Sequence, residues 1–199
     1  MICDEMIHQL KIKGMKFSEK LSENDLDQIE QTYEILLPKS LRAFYRYGIP
    51  YSEHKQERVW QQYPRWTDFS AENIANIKKR MRRPVYELLF DIADGYWLSS
   101  WGNRPESTDE AIIKYLDVAK HTAPQLIPIF SHRYMPLLAG VDDPPIISAV
   151  GIDIIYYGNT LHEYVSNEFL RSDGDNLIVS DNCTNIPFWS EVINDNGNT

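Results

Sequence analysis

The sequence predicts a single α+β domain over residues 1–199, with helices before Pro124 and short strands after it. The chain has 199 residues, 43% hydrophobic and 25% charged, a composition typical of one globular domain. Apolar residues recur at helical spacing in much of the chain between residues 22 and 120. After Pro124, turn residues separate three short apolar runs, LIPIF, IISAV and IDIIYYG. Helical and strand segments that are segregated along the chain favour an α+β fold.

Two helices are predicted before residue 50. Ser22 followed by Asp25 is a weak form of the capping box, and this helix should extend to about residue 34. Pro38 can begin the second helix, because the first helical position needs no N–H group, and Gly48 is a suitable stop. The apolar faces of the two helices consist of Leu26, Ile29, Tyr33, Leu41, Phe44 and Tyr45.

A basic helix is predicted to begin after Ser70 and to contain the segment KKRMRR. Ile74, Ile77 and Met81 fall on one face, so the lysines and arginines should form a solvated face rather than a nucleic-acid site. Pro84 is expected to interrupt this helix, since proline lacks the N–H donor. A separate short helix should then end near Asp94.

The second half of the chain is predicted to add a helix, the strands and two closing helices. Ser107 and Glu110 form a capping box, and the helix should reach about Lys120. IISAV and IDIIYYG are expected to form a hairpin around Gly151. Residues 194–199 should be a frayed tail. The expected buried residues of the helices are Ile112, Ile113, Leu116 and Ala119, then Leu161, Tyr164, Val165 and Phe169, with a short helix beginning near Pro187.

The segment 49–69 resists assignment to helix or strand. It contains Trp60, Tyr63 and Trp66, which is too aromatic for a simple linker, and it should pack back on the domain. We interpret it as an insertion or as a binding loop.

Composition limits the possible partners. The net charge is −9, and residues 163–199 carry one arginine against seven acids. An acidic surface repels nucleic acid and favours basic partners, although it can also serve solubility alone.

No apolar run is long enough to cross a bilayer, which predicts a cytoplasmic protein without a membrane partner. Cys3 and Cys183 suggest neither a disulfide framework nor a zinc site.

The candidates for chemistry are weak. Ser131 and His132 are adjacent, and neighbours in a strand point to opposite faces, so they are not expected to form a nucleophile pair. His132 is expected to be structural. Asp142 and Asp143 precede two prolines and indicate a turn rather than a metal site. We therefore predict no enzyme, no metal and no cofactor.

The order of several segments resembles the SUKH superfamily. ILLPKSLRAFYRYG is similar to the family's entry into the domain, and FDIADGYWLSSWGNRP to its tryptophan, tryptophan-glycine and proline pattern. IPIFSHRYMP resembles the following strand and exit turn, SAVGIDIIYYG the next hairpin, and IPFWSEVI the closing helix. Together these segments cover most of residues 18–193. The segment after the first glycine departs from the pattern, because it offers few alternating apolar positions.

The resemblance implies a function in protein binding. The superfamily contains fungal regulators of cell-wall glucan synthesis and bacterial immunity proteins that neutralise toxins. It implies here a non-catalytic domain that occludes a cognate toxin domain, for example a basic nuclease. The alternative is a scaffold or regulator of cell-wall synthesis or signalling. The resemblance also implies a SUKH-like single α+β domain, with a small mixed, mostly antiparallel sheet covered by helices.

Partner contacts are predicted in the aromatic turns and in the acidic C-terminal segment. Trp101 could be exposed for a partner or buried in the core, and Arg104 beside it would suit an interface. Arg133 could contact a partner or close a salt bridge. The complete predicted set is Trp101, Arg104, His132, Arg133, Tyr134, Glu163, Glu168, Asp173 and Asp175.

Overall fold

The α+β fold is confirmed by a computed structural model, which describes residues 4–51, 62–171 and 176–196. The helices of the described residues are α1 Asp4–Ile12, α2 Glu23–Tyr33, α3 Lys39–Tyr45, α4 Ala71–Ala93, α5 Thr108–Thr122, α6 Leu161–Val165 and α7 Trp189–Asn196. Short 3-10 and π turns cover Ser99–Trp101 and Ser166–Leu170. The strands are β1 Lys16–Phe17, β2 Pro50–Tyr51, β3 Leu126–Phe130, β4 Arg133–Pro136, β5 Ile146–Val150 and β6 Asp153–Gly158.

The N-terminal third contains one helix more than predicted. Helix α1 buries Met6, Ile7 and Leu10, which lie on one helical face. Helix α2 begins with the predicted capping box, in which the Ser22 hydroxyl accepts from Asp25 N–H and the Asp25 carboxylate accepts from Ser22 N–H. Helix α3 begins after Pro38, as predicted.

The described part of segment 49–69 packs on the body of the protein. Pro50 and Tyr51 pair with Phe17 and Lys16 in a two-stranded antiparallel sheet. Trp66 is fully buried and donates its indole N–H to the Tyr45 hydroxyl at 3.0 Å. Residues 52–61, which include Trp60, lie outside the described residues.

The prediction that Pro84 separates two helices is wrong, because α4 continues through it from Ala71 to Ala93. Proline removes one backbone hydrogen bond from a helix, but tertiary packing can outweigh that loss. Pro84 itself is buried on the same side as Ile77 and Leu88. Tyr115 of α5 also donates its hydroxyl proton to Val85 O at 2.9 Å, which fastens α5 to α4 just past the proline.

Helix α5 has the predicted position but presents a partly different face. Ala111, Tyr115 and Ala119 are its buried residues, whereas Ile113 is 67% exposed. The prediction is confirmed for Ala119, and Ile112 and Leu116 pack against the second core, but it is wrong for Ile113, whose place on the buried face is taken by Tyr115.

The four-stranded sheet has the order β3-β4-β5-β6, and its described pairings are all antiparallel. The predicted hairpin around Gly151 is confirmed by the pairing of Val150 with Asp153. The expectation that residues 133–136 form only an exit turn is wrong, because they form β4 in the interior of the sheet.

The sheet separates two hydrophobic cores. Ile127, Met135 and Ile146 belong to the first core, which α1, α2, α3 and α6 share. Tyr134, Ile147 and Ile154 belong to the second core, with α5, α7 and the C-terminal half of α4. Residues 194–196 form the last turn of α7, so the frayed tail predicted for 194–199 is wrong at these three positions. Residues 197–199 lie outside the described part of the chain.

Candidate partner-binding surface

Several residues predicted to contact a partner lie in the interior. Trp101 is only 5% exposed, because the 3-10 turn points its side chain into the second core. Its ring stacks on Phe188, with centroids 5.6 Å apart and an interplanar angle of 10°. Tyr134 is 1% exposed on the same side of the sheet. The prediction that these two side chains contact a partner is therefore wrong.

Arg104 and Glu163 stabilise local structure. Arg104 is half-buried, and its guanidinium donates to Ile92 O at 3.1 Å and to Pro105 O at 3.2 Å. Glu163 is also half-buried and accepts from the backbone N–H of Asn159 at 2.8 Å and from Ser180. Asp173 and Asp175 lie outside the described residues.

Arg133 and Glu168 form a largely buried ion pair, with Nε and Oε2 2.9 Å apart and side chains 11% and 15% exposed. The same guanidinium donates to the Ser148 hydroxyl at 2.8 Å. It also lies over the Tyr157 ring, 3.7 Å from the centroid, in cation–π geometry. The salt-bridge alternative for Arg133 is thus confirmed, and it joins the sheet to the turn after α6.

The turn between β3 and β4 brings Ser131 and His132 together. Ser131 has a left-handed backbone, with φ of 49°, and its Oγ is 3.0 Å from His132 Nδ1. The expectation that the two side chains diverge is wrong, because they lie in a turn rather than in an extended strand. Burial and the charges of Arg133 and Arg83 lower the pKa of His132, against an opposing effect of Asp153. The imidazole is therefore neutral at pH 7.

Arg80 approaches the same turn from α4. It is 6% exposed, and its guanidinium donates a long 3.4 Å hydrogen bond to Ser131 O. Its Nε has no partner among the described residues. Burial lowers the pKa of Arg80. This contact holds the turn against the helix.

Three aromatic rings from distant segments meet beside this turn. Tyr63 lies 4.5 Å from Phe130 and 6.4 Å from Phe169, measured between ring centroids, and Phe130 lies 5.9 Å from Phe169. All three residues are half-buried. Phe169 directly follows Glu168, so the rings adjoin the ion pair with Arg133.

A row of paired residues crosses the sheet at this end. Directly paired residues share a face of an antiparallel sheet. The row consists of Phe130, Arg133, Ser148 and Ile155, one from each strand. Ile155 is 42% exposed, and Val150 on the same face is 47% exposed. We call this the hairpin-end surface, defined by Tyr63, Phe130, Phe169, Arg133, Glu168, Val150 and Ile155.

The hairpin-end surface has the composition of a protein interface. Half-buried aromatic rings are enriched at measured protein interfaces, and the largely buried Arg133 orders the surface from beneath. Sequence reasoning selected Arg133 and Glu168 but missed Phe130, Val150 and Ile155. The available signal was the spacing within each strand. Ser148 and Val150 are two residues apart, as are Ile155 and Tyr157, and residues two apart in a strand share a face.

In the described parts of the chain, no group of His, Cys, Asp or Glu side chains is arranged to hold a metal ion. Nor does any helix there have the length and apolar character needed to cross a membrane. Comparison of the chain with family models, curated proteins and solved structures gave no match.

Proposed function

We propose that this chain is a cytoplasmic, non-catalytic protein-binding domain that neutralises a cognate toxin by covering it. The observation that carries the proposal is the hairpin-end surface, where a row across four strands runs from an aromatic cluster at β3 to the exposed Ile155 on β6, with Val150 exposed on the same face. The order of segments that resembles the SUKH superfamily supports the immunity role within protein binding.

The arrangement favours tight binding at low entropic cost. Tyr63, Phe130 and Phe169 restrain one another, so little rotamer freedom is left to lose when a partner covers them. Arg133 is held by Glu168 and Ser148 before any partner arrives. The exposed side chains of Val150 and Ile155 then add buried apolar area when a partner covers them, about 25 cal/mol per Å².

The charge of the chain favours a basic partner. A net charge of −9 would attract a cationic protein and raise its association rate. Asp153 is exposed at the edge of the hairpin-end surface and is paired with Val150 in the sheet. A basic nuclease domain is a partner of this chemistry.

A tagged pull-down from the native cells, read by mass spectrometry, tests the proposal. We expect a partner with a toxin domain that binds in a one-to-one complex and loses its activity at one equivalent of this protein. Recovery of proteins of cell-wall synthesis or signalling would favour the scaffold alternative instead. A partner whose toxicity persists at saturating protein would contradict neutralisation by occlusion.

A further inference from the structure

A groove between α4 and α5 lies at the opposite end of β3 from the hairpin-end surface. Leu126, the first residue of β3, lines the groove, whereas Phe130, the last, lies in the hairpin-end surface. The groove has a volume of about 700 Å³, which is within the usual range of roughly 300–1,000 Å³ for small-molecule sites. It is open to solvent and is formed without the residues proposed to bind a protein partner.

The floor of the groove is apolar. Met81, Leu126 and Trp189 are at most 6% exposed in the absence of a ligand, and they meet there from α4, β3 and α7. Val85 and Leu116 are half-buried and form the walls. An apolar body of a ligand would displace water from the exposed parts of Val85 and Leu116, above a floor that is already closed to solvent.

The rim of the groove is cationic, although the chain as a whole is acidic. Its charged side chains are three cations and one carboxylate, namely Lys78, Arg82, Lys120 and Glu34. Glu34 is bonded to Lys78 Nζ at 2.7 Å, which leaves Arg82 and Lys120 without an ion-pair partner among residues 4–51, 62–171 and 176–196. Opposite charge at this rim favours an anion.

We propose that the groove between α4 and α5 binds a small amphipathic anion, with an apolar body on the floor and one acidic headgroup between Arg82 and Lys120. The proposal is independent of the protein-binding function, because it rests on a different surface. The apolar floor selects the body of the ligand, and the two cations select the sign of its headgroup.

Titration calorimetry on the full chain tests the proposal with dodecanoate, dodecyl phosphate and dodecylammonium, each below its micelle concentration. We expect saturable one-to-one binding of at least one anion, and at least about tenfold weaker binding of the cation with the same chain. The tighter of the two anions identifies the headgroup as carboxylate or phosphate. Equal binding of anion and cation, or no saturable binding of either anion, would overturn the proposal.

A pair of double variants locates the site. Arg82→Gln with Lys120→Gln should weaken binding of the preferred anion at least about tenfold, since both charge-assisted contacts are lost. Lys13→Gln with Lys20→Gln removes the same charge from exposed positions outside the groove and should leave affinity within about twofold. All four positions are solvent-exposed, so the fold should survive. Equal losses in the two variants would show non-specific attraction and overturn the assignment.

Discussion

Arg133 determines how the hairpin-end surface is built. It binds Glu168, Ser148 and the face of Tyr157, and so links the sheet to the turn after α6. A buried charge whose partner is removed is destabilising because the remaining charge cannot recover its hydration. The surface therefore depends on this side chain even though little of it contacts solvent.

Replacing Arg133 by alanine should lower the free energy of unfolding by about 3 kcal/mol, because Glu168 is left nearly buried without its counter-ion. Urea denaturation measures the change. The double variant Arg133→Met with Glu168→Leu should recover at least half of the loss, since it removes both charges. A single variant as stable as the native protein would show that the pair contributes nothing.

Trp101 should matter for stability rather than for partner contact. Trp101→Ala is expected to cost about 3–5 kcal/mol of unfolding free energy, because it empties a site between Trp97, Tyr115 and Phe188. Phe90→Ala is the matched control, since Phe90 is 79% exposed, and it should change stability by less than about 0.5 kcal/mol. Comparable losses in the two variants would contradict the buried position of Trp101.

Glu163 should contribute a pH-dependent part of the stability. Burial acts to raise the pKa of Glu163, but hydrogen bonds from Ser180 and Asn159 outweigh burial, so the pKa lies below its ordinary value of 4.5. Its contribution is therefore complete above the unfolded-state value and is lost as pH falls through the folded value. The stability difference between native protein and Glu163→Gln should be constant above about pH 5.5 and shrink below about pH 4.5. Urea titrations across this range would refute the effect if the difference widened toward low pH.

At the scale of the elements, capping residues and helical spacing predicted most of the helices. Ser22, Ser70 and Ser107 each cap a helix as predicted, because these bonds depend on residues only three apart. The predicted helix break at Pro84 was wrong because the packing that keeps α4 continuous comes from distant segments. Strand β4 was not predicted because its residues are buried on both faces, which removes the alternating pattern of a half-exposed strand.

The N-terminal cap of α2 tests how much local hydrogen bonds contribute to stability. Ser22→Ala should lower the unfolding free energy by about 1 kcal/mol, because it removes the hydroxyl that accepts from Asp25 N–H and donates to the Asp25 carboxylate. Gln28→Ala, at an exposed position in the same helix, should change it by less than about 0.5 kcal/mol. Thermal and urea unfolding give both values, and equal effects would contradict a structural role for the cap.

At the scale of the whole molecule, a sheet between two cores explains why the candidate site was only partly predictable. The sequence shows which residues are apolar, but exposure depends on how far the covering helices extend over each face. Ile127 and Ile155 are similar in sequence context, yet the first core covers Ile127 and leaves Ile155 partly exposed. The residue types of the hairpin-end surface could thus be predicted from the sequence. Which of these residues are exposed could not.

The affinity for the partner recovered from native cells, measured with two double variants, tests the central claim most directly. Val150→Lys with Ile155→Lys should weaken binding at least about a hundredfold, because a partner that covers these two side chains would have to bury unpaired charges. Ile12→Lys with Ile113→Lys makes the same change at exposed positions outside the hairpin-end surface and should leave affinity within about threefold. Unchanged affinity in the first variant, with its fold intact, would contradict the account.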